Sequence, residues 1–337
     1  MKIVIDDKIP FIRGVFEPYA EVVYRPGGEI DTRTVREADA LIVRTRTRCD
    51  GALLDGSRVR IVATATIGYD HIDRDYCLCR GIRVATAEGC NARGVLQWVF
   101  AALAAWGVEP RGTRLGIVGV GNVGGAVLEM AQAAGFEAVC CDPPRVERGD
   151  RGTEHFVSLP ELLRQADIVT VHLPLDDSTR GLFGTEAFAA MRPGVFFLNS
   201  SRGEVVDEAA LKAGLRSGRV ARAALDVWAG EPQIDRELLA LTSVATPHVA
   251  GYSLQGKAMG TAMSVRAVAE TLGLPLPRTW YPAGAPVQHP RPTLTWTEIS
   301  ERMPAYYDIL ADDAALRRAP ERFEELRGNY RFREEFF

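Results

Sequence analysis

Short apolar runs alternate with amphipathic stretches along most of the chain, and this alternation predicts strands separated by helices. The runs nearest the start are typical of buried strands: KIVIDD, EVVYRP, ALIVRT, RIVATATIG and IRVATA. A helix is predicted from about Asn91 to Trp106, and further strands follow it: RLGIVGVG, EAVCCD, DIVTVHLP, GVFFLNSSR, RAALDVW and SVATPH. Strands that alternate with helices build parallel sheets, so the sequence predicts an α/β fold with two parallel-sheet lobes.

The pattern changes after Gly251. A helix is predicted from about Gly256 to Thr271, and the stretch after it is dense in Pro, Gly and Trp and typical of an extended arm: LGLPLPRTWYPAGAPVQHPRPTLTW. The last segment is charged and helical in pattern, with interruptions predicted at Pro304 and Pro320. A segment this short cannot bury a core of its own, so we expect it to dock on a partner subunit.

Length, composition and charge narrow the class of protein. The chain has 337 residues, 47% of them hydrophobic and 25% charged, which is typical of a globular protein with two or three folding units. A net charge of -4 gives no electrostatic reason to expect a nucleic-acid partner. The longest apolar stretch, Val95 to Val108, is too short to span a membrane, so no membrane partner is expected.

The cysteines and the N-terminus indicate the compartment. The spacing of the six cysteines fits neither a disulfide scaffold nor a zinc site. The apolar run at the N-terminus is too short for a signal peptide. We therefore expect reduced thiols, no metal, and a location in the cytoplasm.

A glycine-rich turn between a strand and a helix marks a candidate nucleotide site. Gly119-x-Gly121-x-x-Gly124 follows the strand LGIVGV and opens the predicted helix VGGAVLEMAQAAG. Glycines at this spacing allow a tight turn, close approach of the backbone to pyrophosphate, and close helix–strand packing. Asp142 ends the next strand, where a carboxylate accepts hydrogen bonds from both ribose hydroxyls and repels a 2′-phosphate. The pattern therefore predicts NAD as the cofactor, and we interpret the nearby Arg145 as a solvated loop charge.

Three residues of complementary chemistry follow strands of the second lobe. His248 ends SVATPH, and histidine is the side chain best suited to move a proton near neutral pH. Arg202 follows another strand, and its planar fork suits bidentate contact with a carboxylate. Glu231 follows a third strand, and a carboxylate beside His248 would stabilise the imidazolium and fix its tautomer. Because parallel strands place ligands at their carboxyl ends, these residues are candidates for one catalytic site.

Each candidate also has a structural alternative. His172 lies at another strand end and is a rival to His248 as a base. Arg202 could cap a helix or pair at the surface, and Glu231 could be an acid that starts a helix before Pro232. The residues alone leave these alternatives open.

Four strings resemble those of the D-isomer-specific 2-hydroxyacid dehydrogenases in order and spacing: GIVGVGNVG, NSSRGEVVD, LDVWAGEP and TPHVAGYS. The resemblance implies a Rossmann-type NAD-binding domain over 92–254, a flavodoxin-like substrate-binding lobe over 1–91 and 255–280, and a C-terminal dimerisation segment over 281–337. It also implies a catalytic trio of Arg202, Glu231 and His248. The cofactor-binding residues that it implies are Gly119, Gly121, Asn122, Val123, Gly124, Asp142, Asp226 (at the nicotinamide end) and Gly251.

Within that family, the chain resembles a branch that acts on a small phosphorylated 2-hydroxy acid, through the strings VRTRT, ATATIGYDHID, EGCNARGV, CDPPRVERGD and HVAGYSLQGKA. This resemblance implies that Thr45, Thr66 and Tyr252 contact the substrate. It also implies a homodimer, because the string YYDILADDAALRRAPERFEELRGNYRFRE is similar to a dimerisation segment. Arg44 and Lys257 could supply the cations that a phosphate needs, although arginines on loops are often simply solvated.

These observations lead to a hypothesis for the reaction. Arg202 would hold the substrate carboxylate, His248 would remove the proton of the C2 hydroxyl, and Glu231 would stabilise the imidazolium while NAD accepts the hydride. One alternative is a dehydrogenase for another 2-hydroxy acid, of the 3-phosphoglycerate or glyoxylate/hydroxypyruvate type. An alternative of a different class is a non-catalytic NAD-sensing scaffold on the same fold.

Overall fold

The computed structural model describes residues 1–288 and 294–336. The chain divides into two compact units, Met1–Asn91 with Ser253–His289 and Ala92–Tyr252 with Pro290–Phe337, which we call the first and the second domain. The described part of the expected C-terminal segment is therefore split, because residues up to 288 group with the first domain and those from 294 with the second. The predicted boundaries of a substrate-binding lobe, an NAD-binding domain and a dimerisation segment stay predictions.

The first domain is built on a parallel sheet. Its strands are β1 (Lys2–Asp6), β2 (Glu21–Arg25), β3 (Ala40–Val43), β4 (Ile61–Thr64) and β5 (Arg83–Thr86). They pair in the order β2-β1-β3-β4-β5. The helices of this domain are α1 (Thr32–Val35), α2 (Gly51–Leu54), α3 (Arg74–Cys79) and α11 (Leu254–Leu272), with a 3-10 helix at Gly27–Glu29.

The interior strands of this sheet are covered on both faces, which explains their unbroken apolar runs. β3 and β4 are buried throughout, and one face of the sheet packs against α11 through Val265 and Val268. The strands predicted from the sequence are confirmed, and each ends before its predicted carboxyl end. The polar residues that follow them are thereby left outside the sheet.

Part of the predicted extended arm is packed into the first domain. Leu274 is buried, and Trp280 is half-buried against the core that contains Ile3. Arg266 of α11 donates from Nε to the carbonyl oxygen of Trp280 at 2.7 Å. The prediction of an arm outside the core is wrong for this part, because the Pro- and Gly-rich composition concealed large apolar side chains that pack on the sheet. Residues 289–293 of the arm lie outside the described residues.

The sheet of the second domain is also parallel. It contains β6 (Arg114–Val118), β7 (Glu137–Cys141), β8 (Ile168–Val171), β9 (Val195–Asn199), β10 (Val220–Leu225) and β11 (Val244–Ala245). The strands pair in the order β11-β10-β9-β8-β6-β7. The helices between them are α4 (Ala92–Ala105), α5 (Asn122–Ala134), α6 (Pro143–Glu147), α7 (Leu159–Gln165), α8 (Thr185–Ala190), α9 (Glu208–Arg216) and α10 (Arg236–Leu241), with a 3-10 helix at Gly203–Val205. After β7 the chain crosses to the other side of β6, and open α/β sheets bind ligands at such a switch point.

The apolar stretch from Val95 to Val108 belongs mainly to a core helix. α4 is buried along nearly its whole length, with Trp98 and Phe100 fully enclosed. Within residues 1–288 and 294–336, none of the helices combines the length and the apolar character needed to cross a bilayer.

The C-terminal segment docks on the second domain of its own chain. It forms α12 (Trp296–Tyr306), α13 (Ile309–Arg318), a 3-10 helix at Pro320–Arg322 and α14 (Phe323–Gly328). α12 and α13 pack against α4, and Ile299 and Met303 join its core. The sequence pointed only to a partner subunit as the docking surface, because it does not show that α4 exposes an apolar face; dimerisation itself stays a prediction. Pro304 lies inside α12, near its end, so the helix is not interrupted at this residue as expected. Pro320 does follow the end of α13, as expected.

Candidate active site

The glycine-rich turn lies between β6 and α5, at the switch point of the second sheet. Gly119 has a φ of +84°, and a Cβ there would lie 2.5 Å from the carbonyl oxygen of His172, so glycine is required. A Cβ on Gly124 would overlap the carbonyl oxygen of Gly119. A Cβ on Gly121, by contrast, would meet no atom of the described residues within 4 Å, apart from its neighbours along the chain. The first and third glycines therefore serve the packing of the turn, and the space beside the second is open.

The start of α5 fits the pyrophosphate of a dinucleotide. The helix begins at Asn122, and its N-cap residue is Gly121, which has no side chain to form a capping hydrogen bond. N–H groups of a first helical turn point along the axis and, together with the helix dipole, favour an anion. The open space at Gly121 and the uncapped helix start are what pyrophosphate binding needs, so these residues fit NAD. Contact of the phosphates with Asn122, Val123 and Gly124 stays a prediction.

Asp142 follows β7 and reaches the glycine-rich turn. Its Oδ2 accepts a hydrogen bond from the Val120 N–H at 2.7 Å, and its Oδ1 accepts one from the Arg145 N–H at 3.1 Å. Each carboxylate oxygen has a second lone pair, so ribose hydroxyls can still donate to it. The interpretation of Arg145 as a solvated loop charge is wrong. Its guanidinium donates to the Val120 carbonyl oxygen at 2.8 Å and to Asp150 at 3.2 Å, because the loop after β7 folds back onto the glycine-rich turn.

The predicted trio is carried by neighbouring strands. Arg202, Glu231 and His248 follow β9, β10 and β11, which are adjacent in the sheet. A Cβ on Gly203 would overlap the carbonyl carbon of Trp228, so the loop that carries Arg202 lies directly against the loop that leads to Glu231. The structure thus brings the three loops to the carboxyl edge of one sheet, the edge at which the glycine-rich turn also lies.

His248 and Glu231 form a direct pair. The His248 Nδ1 and the Glu231 Oε2 are 2.8 Å apart, and the other carboxylate oxygen accepts the Trp228 N–H at 2.9 Å. An ionised carboxylate only accepts hydrogen bonds, so the proton of the neutral imidazole is assigned to Nδ1 and the lone pair to Nε2. The His248 side chain is 26% exposed, which leaves it accessible to a small molecule. This is the tautomer and the access that a general base needs.

Opposing effects set the charge of Glu231. Burial raises the pKa of its carboxyl, but the charge and hydrogen bond of His248, the charge of Arg327 and the Trp228 N–H together lower the pKa by more. The net pKa is below the ordinary value for a glutamic acid. Glu231 is therefore ionised at neutral pH, and its charge stabilises an imidazolium at His248.

Asp226 holds the loop that carries His248. His248 has a φ of +58°, in the left-handed region that residues other than glycine rarely adopt, at a typical cost of about 1–3 kcal/mol. Its N–H donates to the Asp226 carbonyl oxygen at 2.7 Å. The Asp226 carboxylate accepts the N–H groups of Val249 at 2.8 Å and Ala250 at 2.9 Å and the hydroxyl of Thr246 at 2.6 Å. These contacts stabilise the strained backbone, while burial raises the pKa of the enclosed carboxyl. Contact of Asp226 with the nicotinamide end stays a prediction.

Two further candidates lie on the loops of this edge. Arg202 is half-buried, and its Nη1 donates to the carbonyl oxygen of Ser201 at 2.7 Å. The Asn199 side chain donates to the Arg202 carbonyl oxygen at 2.9 Å and so shapes this turn. Gly251 ends the loop after His248 and packs against the start of α4, where a Cβ on Gly94 would lie 3.1 Å from the Gly251 carbonyl carbon. Binding of substrate by Arg202 and of cofactor by Gly251 stay predictions.

His172, the rival base, has the wrong surroundings for proton transfer. Its Nε2 pairs with the Thr170 hydroxyl at 3.0 Å. The residue is half-buried by surface area, but the atoms packed around the ring desolvate an imidazolium, and this burial lowers the pKa to about 3. An imidazole so reluctant to protonate is a poor base near neutral pH, which favours His248.

The substrate candidates of the first domain include residues that follow neighbouring strands. Thr45 follows β3 and is exposed, and Thr66 follows β4 and is half-buried, with its hydroxyl 2.7 Å from that of a neighbouring threonine. Arg44 forms a bidentate pair with the buried Asp6, through two contacts of 3.1 Å. Asp6 therefore neutralises a cation that the sequence assigned to a phosphate. Lys257 is half-buried in α11. Substrate contacts of these residues stay predictions.

Tyr252 meets the C-terminal segment, which sequence reasoning kept apart from the site. Its ring packs edge-on against Tyr330 and Phe332, with centroids 5.9 Å apart in each pair. Arg327 of α14 donates from Nε to the Tyr252 hydroxyl at 3.3 Å, and its Nη1 lies 3.8 Å from the Glu231 Oε2. Arg327 is 75 positions from Tyr252 in the sequence, and Tyr330 and Phe332 are farther away still. No motif marks these residues.

The chain is similar in sequence to known proteins. A family model described as the D-isomer specific 2-hydroxyacid dehydrogenase, NAD binding domain, matches residues 80–250. An erythronate-4-phosphate dehydrogenase of Azotobacter vinelandii is 43% identical, covering 97% of this chain and 89% of that protein. A protein of the same name from Bacteroides fragilis is 42% identical, covering 99% of this chain and 97% of its own length.

Solved structures give the same picture at lower identity. A Thermus thermophilus protein matches with a TM-score of 0.70 at 28% identity, covering 81% of this chain and 97% of that one. A 3-phosphoglycerate dehydrogenase of Entamoeba histolytica, solved with bound NAD+, matches with a TM-score of 0.67 at 26% identity, covering 80% and 94% of the two chains. The chain therefore belongs to the D-isomer specific 2-hydroxyacid dehydrogenases, which are NAD-dependent enzymes, in the branch of the erythronate-4-phosphate dehydrogenases.

Proposed function

We propose that the protein oxidises 4-phospho-D-erythronate to 2-oxo-3-hydroxy-4-phosphobutanoate with NAD, a step in the synthesis of pyridoxal 5′-phosphate. The observation that carries the proposal is the 2.8 Å pair between His248 Nδ1 and Glu231 Oε2. This pair lies at the sheet edge that also holds Arg202 and the glycine-rich turn. The name of the relatives from Azotobacter vinelandii and Bacteroides fragilis supports the choice of substrate.

Each residue of the trio has a defined role in this reaction. Arg202 binds the carboxylate and the C2 oxygen of the substrate through its planar guanidinium and so orients C2. His248 takes the proton of the C2 hydroxyl at Nε2, because Nδ1 is engaged with Glu231. Glu231 stabilises the imidazolium that this transfer creates. NAD, when bound, accepts the C2 hydride, so that loss of one proton and one hydride turns the alcohol into a ketone.

Recognition of the phosphate is assigned to the first domain in this proposal. A guanidinium has five N–H donors, and Asp6 receives two of those of Arg44, so Arg44 keeps donors for a second anion. The ammonium of Lys257 and the hydroxyls of Thr45 and Thr66 add contacts of the kind that a phosphorylated hydroxy acid needs.

A steady-state assay with a panel of substrates tests the proposal. We expect kcat/KM for 4-phospho-D-erythronate to exceed that for D-erythronate, 3-phosphoglycerate and hydroxypyruvate (assayed in reduction) by about 100-fold or more. A site built for a phosphate rejects the two analogues that lack it, and the shorter carbon chain of 3-phosphoglycerate does not bring its phosphate and its C2 into place together. A higher kcat/KM with another 2-hydroxy acid would refute the substrate. Tight NAD binding without turnover of any panel member would instead favour a scaffold that senses NAD.

We also propose that the enzyme is a homodimer in the cytoplasm. The similarity of the C-terminal string to a dimerisation segment supports the dimer. None of the six cysteines, all of which lie within the described residues, forms a disulfide, which is typical of proteins from a reducing compartment. Sedimentation equilibrium should give twice the mass of one chain, and the mass of a single chain across the concentration range would contradict the dimer.

A further inference from the structure

The fold places Arg327 beside the catalytic pair although the residue belongs to the C-terminal segment. Its Nη1 lies 3.8 Å from the Oε2 of Glu231, the same oxygen that pairs with the Nδ1 of His248. Its Nε donates to the Tyr252 hydroxyl at 3.3 Å. The Arg327 side chain is only 12% exposed, so water and salt screen its charge much less than at an open surface.

The segment that carries Arg327 is fastened to the loop that follows the catalytic histidine. Arg333 is buried and donates to the carbonyl oxygens of Val249 and Gly94, at 3.0 Å each, and to that of Ala250. A buried guanidinium must satisfy its N–H groups within the protein, so these contacts resist withdrawal of the segment. The position of Arg327 is therefore determined by packing, unlike that of an arginine in a surface ion pair.

We propose that Arg327 is a positioning residue of the dehydrogenase site, which fixes the Glu231 carboxylate and the Tyr252 hydroxyl. The inference rests on the proposed function of the trio. Glu231 lies between His248 and the cationic Arg327, so its orientation toward Nδ1 does not depend on the imidazole alone. A planar guanidinium suits this task, because separate N–H groups can face the carboxylate and the hydroxyl at once.

The charge of Arg327 also opposes that of the imidazolium. A nearby cation repels an imidazolium at His248, whereas the carboxylate of Glu231 attracts it. Loss of the Arg327 charge therefore removes a repulsion that opposes the charged form of the base. The variants below do not substitute the other titratable or charged groups on the loops around the pair, which include Asp226, Tyr252, Arg333 and Glu208. The Glu208 carboxylate accepts the Ala229 N–H.

The test compares Arg327→Gln and Arg327→Lys with Arg322→Gln, which removes the same charge from an exposed pair on the same segment. For Arg327→Gln we expect kcat/KM to fall about 10-fold, and the acid limb of its pH profile to move to higher pH by about 0.5–1 unit. Arg327→Lys should keep the acid limb near its wild-type position but lower kcat, because an ammonium lacks the planar fork. Arg322→Gln should match the wild type in both.

NAD affinity and thermal unfolding distinguish positioning from a merely structural role. A moved acid limb with wild-type NAD affinity and Tm supports the proposal. A wild-type profile in Arg327→Gln, or lost activity with an unmoved acid limb, overturns it. Should Arg327→Gln not fold, Arg327→Lys carries the test, and a wild-type kcat in that variant overturns the proposal. A wild-type enzyme that turns over no 2-hydroxy acid refutes the proposed function, and this inference with it, before any variant is compared.

Discussion

Replacing Glu231 with glutamine removes the charge from the catalytic pair and keeps its shape. The carboxylate accepts the Trp228 N–H at 2.9 Å through one oxygen and pairs with the His248 Nδ1 at 2.8 Å through the other. Glutamine has one oxygen and one NH2 group, so in either orientation an NH2 group faces an N–H donor. The variant therefore loses the Trp228 contact or shifts the imidazole proton to Nε2, where it blocks the lone pair that the substrate needs.

The expected size of the effect follows from the geometry. Two unit charges about 4 Å apart attract each other by about 4 kcal/mol at an effective dielectric constant of about 20. The His248 and Glu231 side chains are 26% and 16% exposed, and screening by water reduces this energy to roughly 1.5–2.5 kcal/mol. One pH unit corresponds to about 1.4 kcal/mol, so the acid limb of kcat/KM should move to lower pH by about 1–2 units. Since the amide also disrupts either the Trp228 contact or the required tautomer, we expect kcat to fall by about 100- to 1,000-fold.

The assay follows NADH formation across the pH range in which the protein stays folded. Glu161→Gln is the matched control, because it makes the same chemical change at an exposed position of α7. NAD affinity should be unchanged in both variants. An acid limb that stays in place or moves to higher pH in Glu231→Gln would refute the pairing of this carboxylate with the base, and so would an unchanged kcat.

Two further predictions concern the nucleotide turn and the buried histidine. Gly121→Ala should weaken NAD binding about tenfold or more without lowering Tm, because the new Cβ is not in contact with any described residue except its chain neighbours but fills space that the pyrophosphate needs. Gly124→Ala should instead lower the free energy of unfolding by about 2 kcal/mol or more, because its Cβ overlaps a carbonyl oxygen; equal changes in affinity and stability in the two variants would contradict this division. Burial lowers the pKa of His172 from 6.5 to about 3, so between these two pH values the unfolded chain binds a proton at His172 that the folded chain does not bind. The free energy of unfolding that this neutral imidazole contributes above pH 6.5 is therefore lost as the pH falls from 6.5 toward 3. His172→Gln should therefore show a shallower decline in the denaturant-derived free energy of unfolding between about pH 6.5 and about pH 4, and an unchanged slope would contradict the assignment.

Much of the fold could be predicted because its strands are buried on both faces. β3, β4 and β8 are buried throughout. In the sequence such a strand is a short apolar run that ends at polar residues near its carboxyl end. The same terminations marked the catalytic loops, since a strand end in a parallel sheet is where ligands bind. Arg202, Glu231 and His248 could thus be placed at one sheet edge before any coordinates were known.

The contacts that sequence reasoning missed depend on packing between distant segments. Arg333 is buried, although charged residues are rarely enclosed, and three of the groups to which it donates are backbone carbonyl oxygens, which leave no trace in a sequence pattern. Arg327 contacts Tyr252 only because the C-terminal helices fold back onto α4. The prediction for Arg145 was wrong for the same reason, because its guanidinium donates to the backbone carbonyl oxygen of Val120.

The rate of a single turnover by His248→Asn tests the central claim most directly. Asparagine tolerates the left-handed backbone that this position requires, with its φ of +58°, so the loop should keep its shape. With 4-phospho-D-erythronate and saturating NAD, we predict that NADH forms about 100- to 10,000-fold more slowly than in the wild type, at unchanged NAD affinity and Tm. A rate close to that of the wild type, in a folded variant that binds NAD, would contradict the assignment of His248 as the base.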